Sequence, residues 1–269
     1  MRITAGGIDI NCELEGSGTP LVLTHGLGDD LHFWDDTAPA LAEHHTLVRW
    51  DVRGFGLSDK PPGPYSPALL AADLAALLDA LRLTSVHLGG LSMGGVIAQR
   101  FALDYPQRVR SLVLVSTSSE VGPRGAANWQ RLANSIEQRG FGTGARDATR
   151  SFSASFAARH PERVAAAGEQ TARNDPRAYA AAARAMSDYH WTANLARIRA
   201  PVLILQGLAD QLTPPGGSVK MHRVLPASRL LMIPDTGHSL PIEQPALFTT
   251  ALLAFAAGVD AMAALTGKG

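Results

Sequence analysis

The chain has 269 residues, with 24 Lys plus Arg set against 24 Asp plus Glu, and is 46% apolar and 18% charged. That length and apolar content suit a large buried core and exclude a disordered chain. Neutrality removes the broad positive field that nucleic acids and anionic membranes select, and a lone cysteine, Cys12, excludes an intramolecular disulfide and reads as a small buried apolar side chain in an early strand.

The N-terminus lacks the apolar stretch of a signal peptide, and no segment reads as long enough to span a bilayer, so a cytoplasmic protein without nucleic-acid or membrane partners is expected. Gly6-Gly7 predicts a hairpin turn between two short strands. The apolar run at 20–24 has the character of a strand covered on both faces, and similar runs recur at 46–50, 86–89, 110–115, 202–205 and 230–233. Between them, Ser66-Pro67 pairs an N-cap with a first-turn proline and predicts a helix running to Leu81. A second helix is expected over 94–105, stopped by Pro106, and a third over 245–257, ended by Gly258 ahead of a frayed, disordered tail. This alternation implies a mostly parallel sheet with helices on both faces.

Residues 122–199 break the pattern. They are rich in Ala and Arg and read as short helices, with the clearest start at Asn174-Asp175-Pro176 ahead of a helix over 177–189. A helical insertion before the penultimate strand predicts a lid over one edge of the sheet. The expected division is a core of residues 1–121 and 200–269 and a cap of residues 122–199, the alternative being a peripheral appendage.

Gly90-Leu91-Ser92-Met93-Gly94 fits G-x-S-x-G between an apolar strand and an apolar helix. A serine on such a sharp turn is thrust out at the sheet edge, and its neighbours must be small to let the chain pass. Gly-rich strand–helix turns also cradle phosphate, but the chain has neither G-x-G-x-x-G nor Gly-Lys-Ser/Thr, and Gly54-Phe55-Gly56 lacks the third glycine. A serine hydroxyl needs a base to take its proton. His238, in the loop Asp235-Thr236-Gly237-His238 between the last strand and the final helix, is the candidate that returns to Ser92. The third member is expected in the order Ser, then acid, then His, which selects Asp210 after the penultimate strand; Glu120 is the alternative acid, and a turn or helix-capping role is the alternative for Asp210. His25-Gly26-Leu27-Gly28 bends after its strand, which would aim the backbone N–H of Leu27 beside that of Met93 as an oxyanion hole, with His25 fixing the loop. No Cys/His cluster has metal spacing, so no metal or organic cofactor is expected. Phe33, Trp34, Trp129, His190 and Trp191 are offered as the lining of a pocket between the sheet edge and the lid.

His25-Gly26, the segment Asp51-Val52-Arg53-Gly54-Phe55-Gly56-Leu57-Ser58, the Ser92 elbow, Asp210 and Gly237-His238 together resemble the α/β-hydrolase superfamily over the whole chain. Gly63-Pro64-Tyr65-Ser66, Leu77-Leu78-Asp79-Ala80-Leu81, Gly90-Leu91-Ser92-Met93-Gly94-Gly95 and Arg159-His160-Pro161-Glu162 look similar to the 3-oxoadipate enol-lactonase group within it. Two positions depart from that group, which carries Asn-Ser in place of His25-Gly26 and His in place of Phe55. The resemblance implies an α/β-hydrolase fold with a helical cap, a structural role for the 51–58 loop, and hydrolysis of a small-molecule carboxylic ester or lactone. A carbon–carbon bond hydrolase of ring-cleavage diketo acids would use the same three side chains, a cofactor-free haloperoxidase-like side activity is compatible, and a small-molecule receptor on the same fold is the non-enzymatic alternative. Relatives that use a carboxylate nucleophile, such as dehalogenases and epoxide hydrolases, are excluded by Ser92.

Overall fold

The computed structural model describes residues 1–142 and 148–266. The parts of the expected cap and tail at 143–147 and 267–269 lie outside them.

Eight strands form a single sheet: β1 (Arg2–Ala5), β2 (Ile8–Glu15), β3 (Pro20–Thr24), β4 (Thr46–Trp50), β5 (Val86–Leu91), β6 (Val109–Val115), β7 (Val202–Gly207) and β8 (Ser228–Ile233). Their spatial order is β1-β2-β4-β3-β5-β6-β7-β8. The hairpin strands β1 and β2 pair antiparallel, β2 joins β4 antiparallel, and every later pairing is parallel. Ten α-helices accompany them among the described residues: α1 (Ala38–Ala42), α2 (Pro67–Ala80), α3 (Met93–Asp104), α4 (Pro123–Arg139), α5 (Ala154–Arg159), α6 (Pro161–Ala172), α7 (Pro176–Ala185), α8 (Gly216–Val224), α9 (Leu240–Glu243) and α10 (Pro245–Thr266). Ser66 caps α2 through its hydroxyl, and Asp175 caps α7 through its carboxylate.

Alternate strand residues feed two cores. Val22, Val48, Leu88, Leu112 and Ile204 pack against α2 and α3, whereas Leu21, Leu23, Val113, Leu203 and Leu205 pack against Trp34, Phe248, Leu252 and Phe255 on the opposite face. The parallel strands all end toward the same edge, so the loops after β3, β5, β6, β7 and β8 converge there. That edge is where parallel sheets place their ligands, outside the carboxyl ends of the strands at the point where strand order reverses, here around β3 and β5.

Two expectations are corrected at the C-terminus. Gly258 does not end the last helix: α10 continues through it to Thr266, because Asp260 two residues further on is tied to Arg110, His87 and Thr19. Those tertiary bonds outweigh the modest propensity cost of one glycine, about 1 kcal/mol. With its 22 residues, α10 is also long and apolar enough to cross a membrane, contrary to the sequence reading. It lies against the sheet here, burying Phe248, Leu252 and Phe255. In the inserted segment α7 stops at Ala185 rather than Tyr189, and the chain leaves the helix to make an isolated bridge between His190 and Glu120.

Candidate active site

Ser92 sits where β5 turns into α3, with φ +53° and ψ −115°, a conformation a residue with a side chain rarely adopts. The turn is held by its backbone: Ser92 N–H donates to Val115 O at 3.0 Å, and Ser92 O accepts from Val96 N–H and the Thr117 hydroxyl. Its neighbours have no room to grow. A Cβ on Gly94 would lie 2.2 Å from Thr24 O, and one on Gly90 would lie 2.3 Å from Gly94 O. The small residues of the motif are therefore required by the crossing of β3, β5 and α3.

His238 and Asp210 come from the loops after β8 and β7. His238 Nδ1 lies 2.9 Å from Asp210 Oδ2, and both residues are buried. A carboxylate only accepts, so Nδ1 carries the hydrogen, and Nε2 is left as the acceptor, with no partner among the described residues. The Thr213 hydroxyl, which donates to Ser116 O, sits 2.9 Å from the same Nδ1. Burial alone would raise the Asp210 carboxyl, but the His238 ring and the N–H groups of Thr213 and Leu212 hold it below its usual range. Asp210 Oδ1 takes both N–H groups, so the residue also builds its own turn; the two readings of Asp210 are one geometry. The alternative acid is occupied elsewhere: Glu120 binds Lys220 and Thr192 and lies near His190, and hydrogen bonding to Lys220 is the largest effect holding its carboxyl below the usual range.

The loop after β3 is pinned by His25, whose Nδ1 donates to Gly26 O at 2.7 Å while Nε2 accepts from Val52 N–H at 3.0 Å. Burial pushes the His25 ring below the ordinary histidine value, in keeping with a neutral ring bonded in this way. The loop brings Leu27 beside Ser92. Neither Leu27 N–H nor Met93 N–H is taken by a protein acceptor among the described residues.

Two cavities meet at Ser92 and Leu27. A large one of about 700 Å³ runs between the sheet edge and α4, past Met93, Val96, Trp129, Leu132, Met186 and Tyr189, with Arg150, Glu120 and Lys220 on its polar wall. A compact one of about 40 Å³ is bordered by Ser92, His238, Phe33, Phe152 and Ile242. Of the five side chains expected at the pocket, Trp129 and Phe33 are there. Trp34 is fully buried against Phe248, Trp191 packs on Tyr189 with its indole N–H on Gln99, and the exposed His190 faces Glu120, so none of these three lines either cavity. Among the described residues no three His, Cys, Asp or Glu side chains group as metal ligands.

A profile of the alpha/beta hydrolase fold matches residues 19–245, a stretch that holds all of these loops. The chain belongs to the α/β-hydrolase family. This hydrolase is 28% identical over 253 residues to 3-oxoadipate enol-lactonase 2 of Acinetobacter baylyi, covering 93% of this chain and 94% of that protein. It is 29% identical to a 2-hydroxy-6-oxo-2,4-heptadienoate hydrolase of Pseudomonas putida, covering 96% of each. A solved thermophilic esterase from Thermogutta terrifontis superposes with a TM-score of 0.91 at 32% identity, over 96% of this chain and 98% of that one.

Several residues of the hydrolase's site escape a reading by motif. Glu243 accepts from Gly237 N–H at 2.8 Å and from Ser153 N–H at 3.2 Å, clamping the His238 loop to the inserted segment. Burial raises its carboxyl above the usual range. Gln206 donates to Asp210 Oδ2 at 3.2 Å. Arg150 and Lys220 supply the cationic groups that no local charge cluster announced. Glu243 sits five positions after His238 as the last residue of α9, a spacing that a sequence search can use; Arg150 and Lys220 meet only through the fold.

Proposed function

We propose that this hydrolase cleaves a carboxylic ester or lactone by acyl transfer, with Ser92 as nucleophile, His238 as general base and acid, and Asp210 as the residue that orients His238. The observation that carries the reading is the 2.9 Å bond from His238 Nδ1 to Asp210 Oδ2, which fixes the tautomer whose free Nε2 accepts a proton, in a ring that borders the same compact cavity as Ser92. Ser92 Oγ attacks the carbonyl carbon as His238 takes its proton. The oxyanion is held by Leu27 and Met93 N–H groups, which have no protein acceptor to surrender among the described residues. His238 returns the proton to the leaving oxygen, and the acyl–Ser92 ester is then hydrolysed by water that the same ring activates. Residues 122–199 act as the cap that closes the large cavity, and the core is residues 1–121 and 200–269.

The Pseudomonas putida relative favours a second reading, hydrolysis of a carbon–carbon bond in a diketo acid, which would use the same three residues. A binding-only role would leave the strained Ser92 backbone and the ordered His238–Asp210 pair without a purpose. The test is a panel of methyl and aryl esters, lactones and vinylogous diketo acids, with Ser92→Ala beside the wild type. Ester or lactone turnover is expected, falling by ~10⁴–10⁶-fold in the variant with folding retained. A fluorophosphonate probe should label Ser92. Undiminished turnover in Ser92→Ala refutes the nucleophile, and exclusive turnover of diketo acids selects the second reading.

A further inference from the structure

We infer that the leaving alcohol of the substrate occupies the compact cavity and the acyl group the large one, so that the enzyme is built for esters of bulky acids with small alcohols. The inference rests on the acyl-transfer reading above and adds the substrate class. In the tetrahedral intermediate the carbonyl carbon bears Ser92 Oγ, the oxyanion, the acyl chain and the ester oxygen. His238 must deliver to that ester oxygen the proton it took from Ser92 Oγ; the bond from carbon to Oγ has formed, the bond from carbon to the ester oxygen breaks, and a neutral alcohol leaves. The leaving group therefore lies on the side of the serine that His238 borders, and the acyl chain lies on the other.

The two sides differ greatly in room. His238 borders the compact cavity of about 40 Å³ and not the large one of about 700 Å³. The compact side thus has less than a tenth of the room of the large one, which favours a small alcohol there. Its walls are firm. Phe152 is buried and stacked on Phe156, Ser239 N–H donates to Ser151 O at 2.8 Å, and Glu243 ties Ser153 to Gly237. The large side is that of a whole small-molecule site and carries Val96, Trp129, Leu132 and Met186.

The compact cavity also adjoins a second one. Asp29, Phe33, Ala167 and Ile242 border both it and a surface groove of about 310 Å³ beside α6.

Two ester series on the wild-type enzyme test this. One keeps methanol as the alcohol and lengthens the acid from acetate through butanoate and hexanoate to octanoate; the other keeps acetate and lengthens the alcohol from methyl through ethyl and butyl to hexyl. In the first, kcat/KM should rise by about fourfold per added methylene, the gain of burying one in an apolar site. In the second it should fall by about tenfold or more beyond ethyl. Ile242→Ala, which widens the compact cavity, should raise the butyl-to-methyl ratio about tenfold, and Ala167→Leu, on a half-exposed helix face, should lower the ethyl-to-methyl ratio. Opposite trends in the two series, or equal tolerance of long alcohols and long acids, overturn the inference and leave ester hydrolysis standing. Turnover of neither series, with Ser92 unlabelled by fluorophosphonate, overturns both.

Discussion

The central strands of the sheet and two of the inserted helices, α4 and α6, bury their residues in opposite ways, whereas the inserted α7 is mostly buried. All six residues of β5 are buried, as are all six of β7, and each is held on both sides by a neighbouring strand. By contrast, α6 has no buried residue, and α4 buries only Ala133 and Ile136. The strand frame ends in the loops that carry Ser92, Asp210 and His238, and it brings His238 Nδ1 to 2.9 Å from Asp210 Oδ2. The insertion supplies most of the large cavity's far wall through half-buried side chains such as Trp129, which tolerate exchange. On the proposed mechanism the chemistry falls to the strand loops and the selectivity to these exchangeable side chains.

Asp210→Asn is the sharpest way to break this contrast. It should lower kcat by about 10⁴-fold, through loss of the His238 tautomer, with circular dichroism unchanged; a loss under tenfold would remove Asp210 from the mechanism. Next comes one substitution made in both regions. Gly94→Ala drives a methyl into the backbone oxygens of Thr24 and His25 and should cost about 3 kcal/mol or more, read from the urea midpoint. Gly168→Ala inside α6 meets only the Ala148 methyl at 3.6 Å and should stabilise by about 0.5–1 kcal/mol. Equal effects would erase the distinction. Trp129→Ala should lower kcat/KM on bulky-acid methyl esters by about tenfold while moving the melting temperature little, and a large loss of stability would make the insertion part of the rigid frame.

The smallest effect is the pH dependence of the frame. His87 is buried between Ser111 and Asp260, with His45 and Arg110 beside it, and burial outweighs the carboxylate to push its ring below the ordinary histidine value. The unfolded chain then takes up a proton near pH ~6.5 that the native state refuses, so stability is lost as pH falls below that value, by at most ~1.4 kcal/mol per pH unit. Urea midpoints at neutral and mildly acidic pH should show this slope, and His87→Asn should flatten it. An unchanged slope in the variant would assign the dependence to other groups.

Ser92 was legible because the elbow is local: a strand, a strained serine and flanking glycines occupy adjacent positions. His238 and Asp210 were nearly so, since each follows a continuous apolar strand by a few residues and the loop is too short to go elsewhere. Trp34 and Trp191 misled because an aromatic side chain does not say which face it turns to, and both found partners in the core. Gly258 misled because helix termination was judged from propensity, while Asp260 was already bound to Arg110 and His87 on the sheet.

What the sequence determined by itself was the alternation of strands and helices and the sharp turn that carries Ser92, because strand burial and turn chemistry are written in neighbouring positions. Only the tertiary structure decided where the two cavities lie, how unequal they are, and that Arg150, Lys220 and Glu243 belong to the site. Those properties are differences in distance between side chains far apart in the chain, and packing sets them after every local preference has been met.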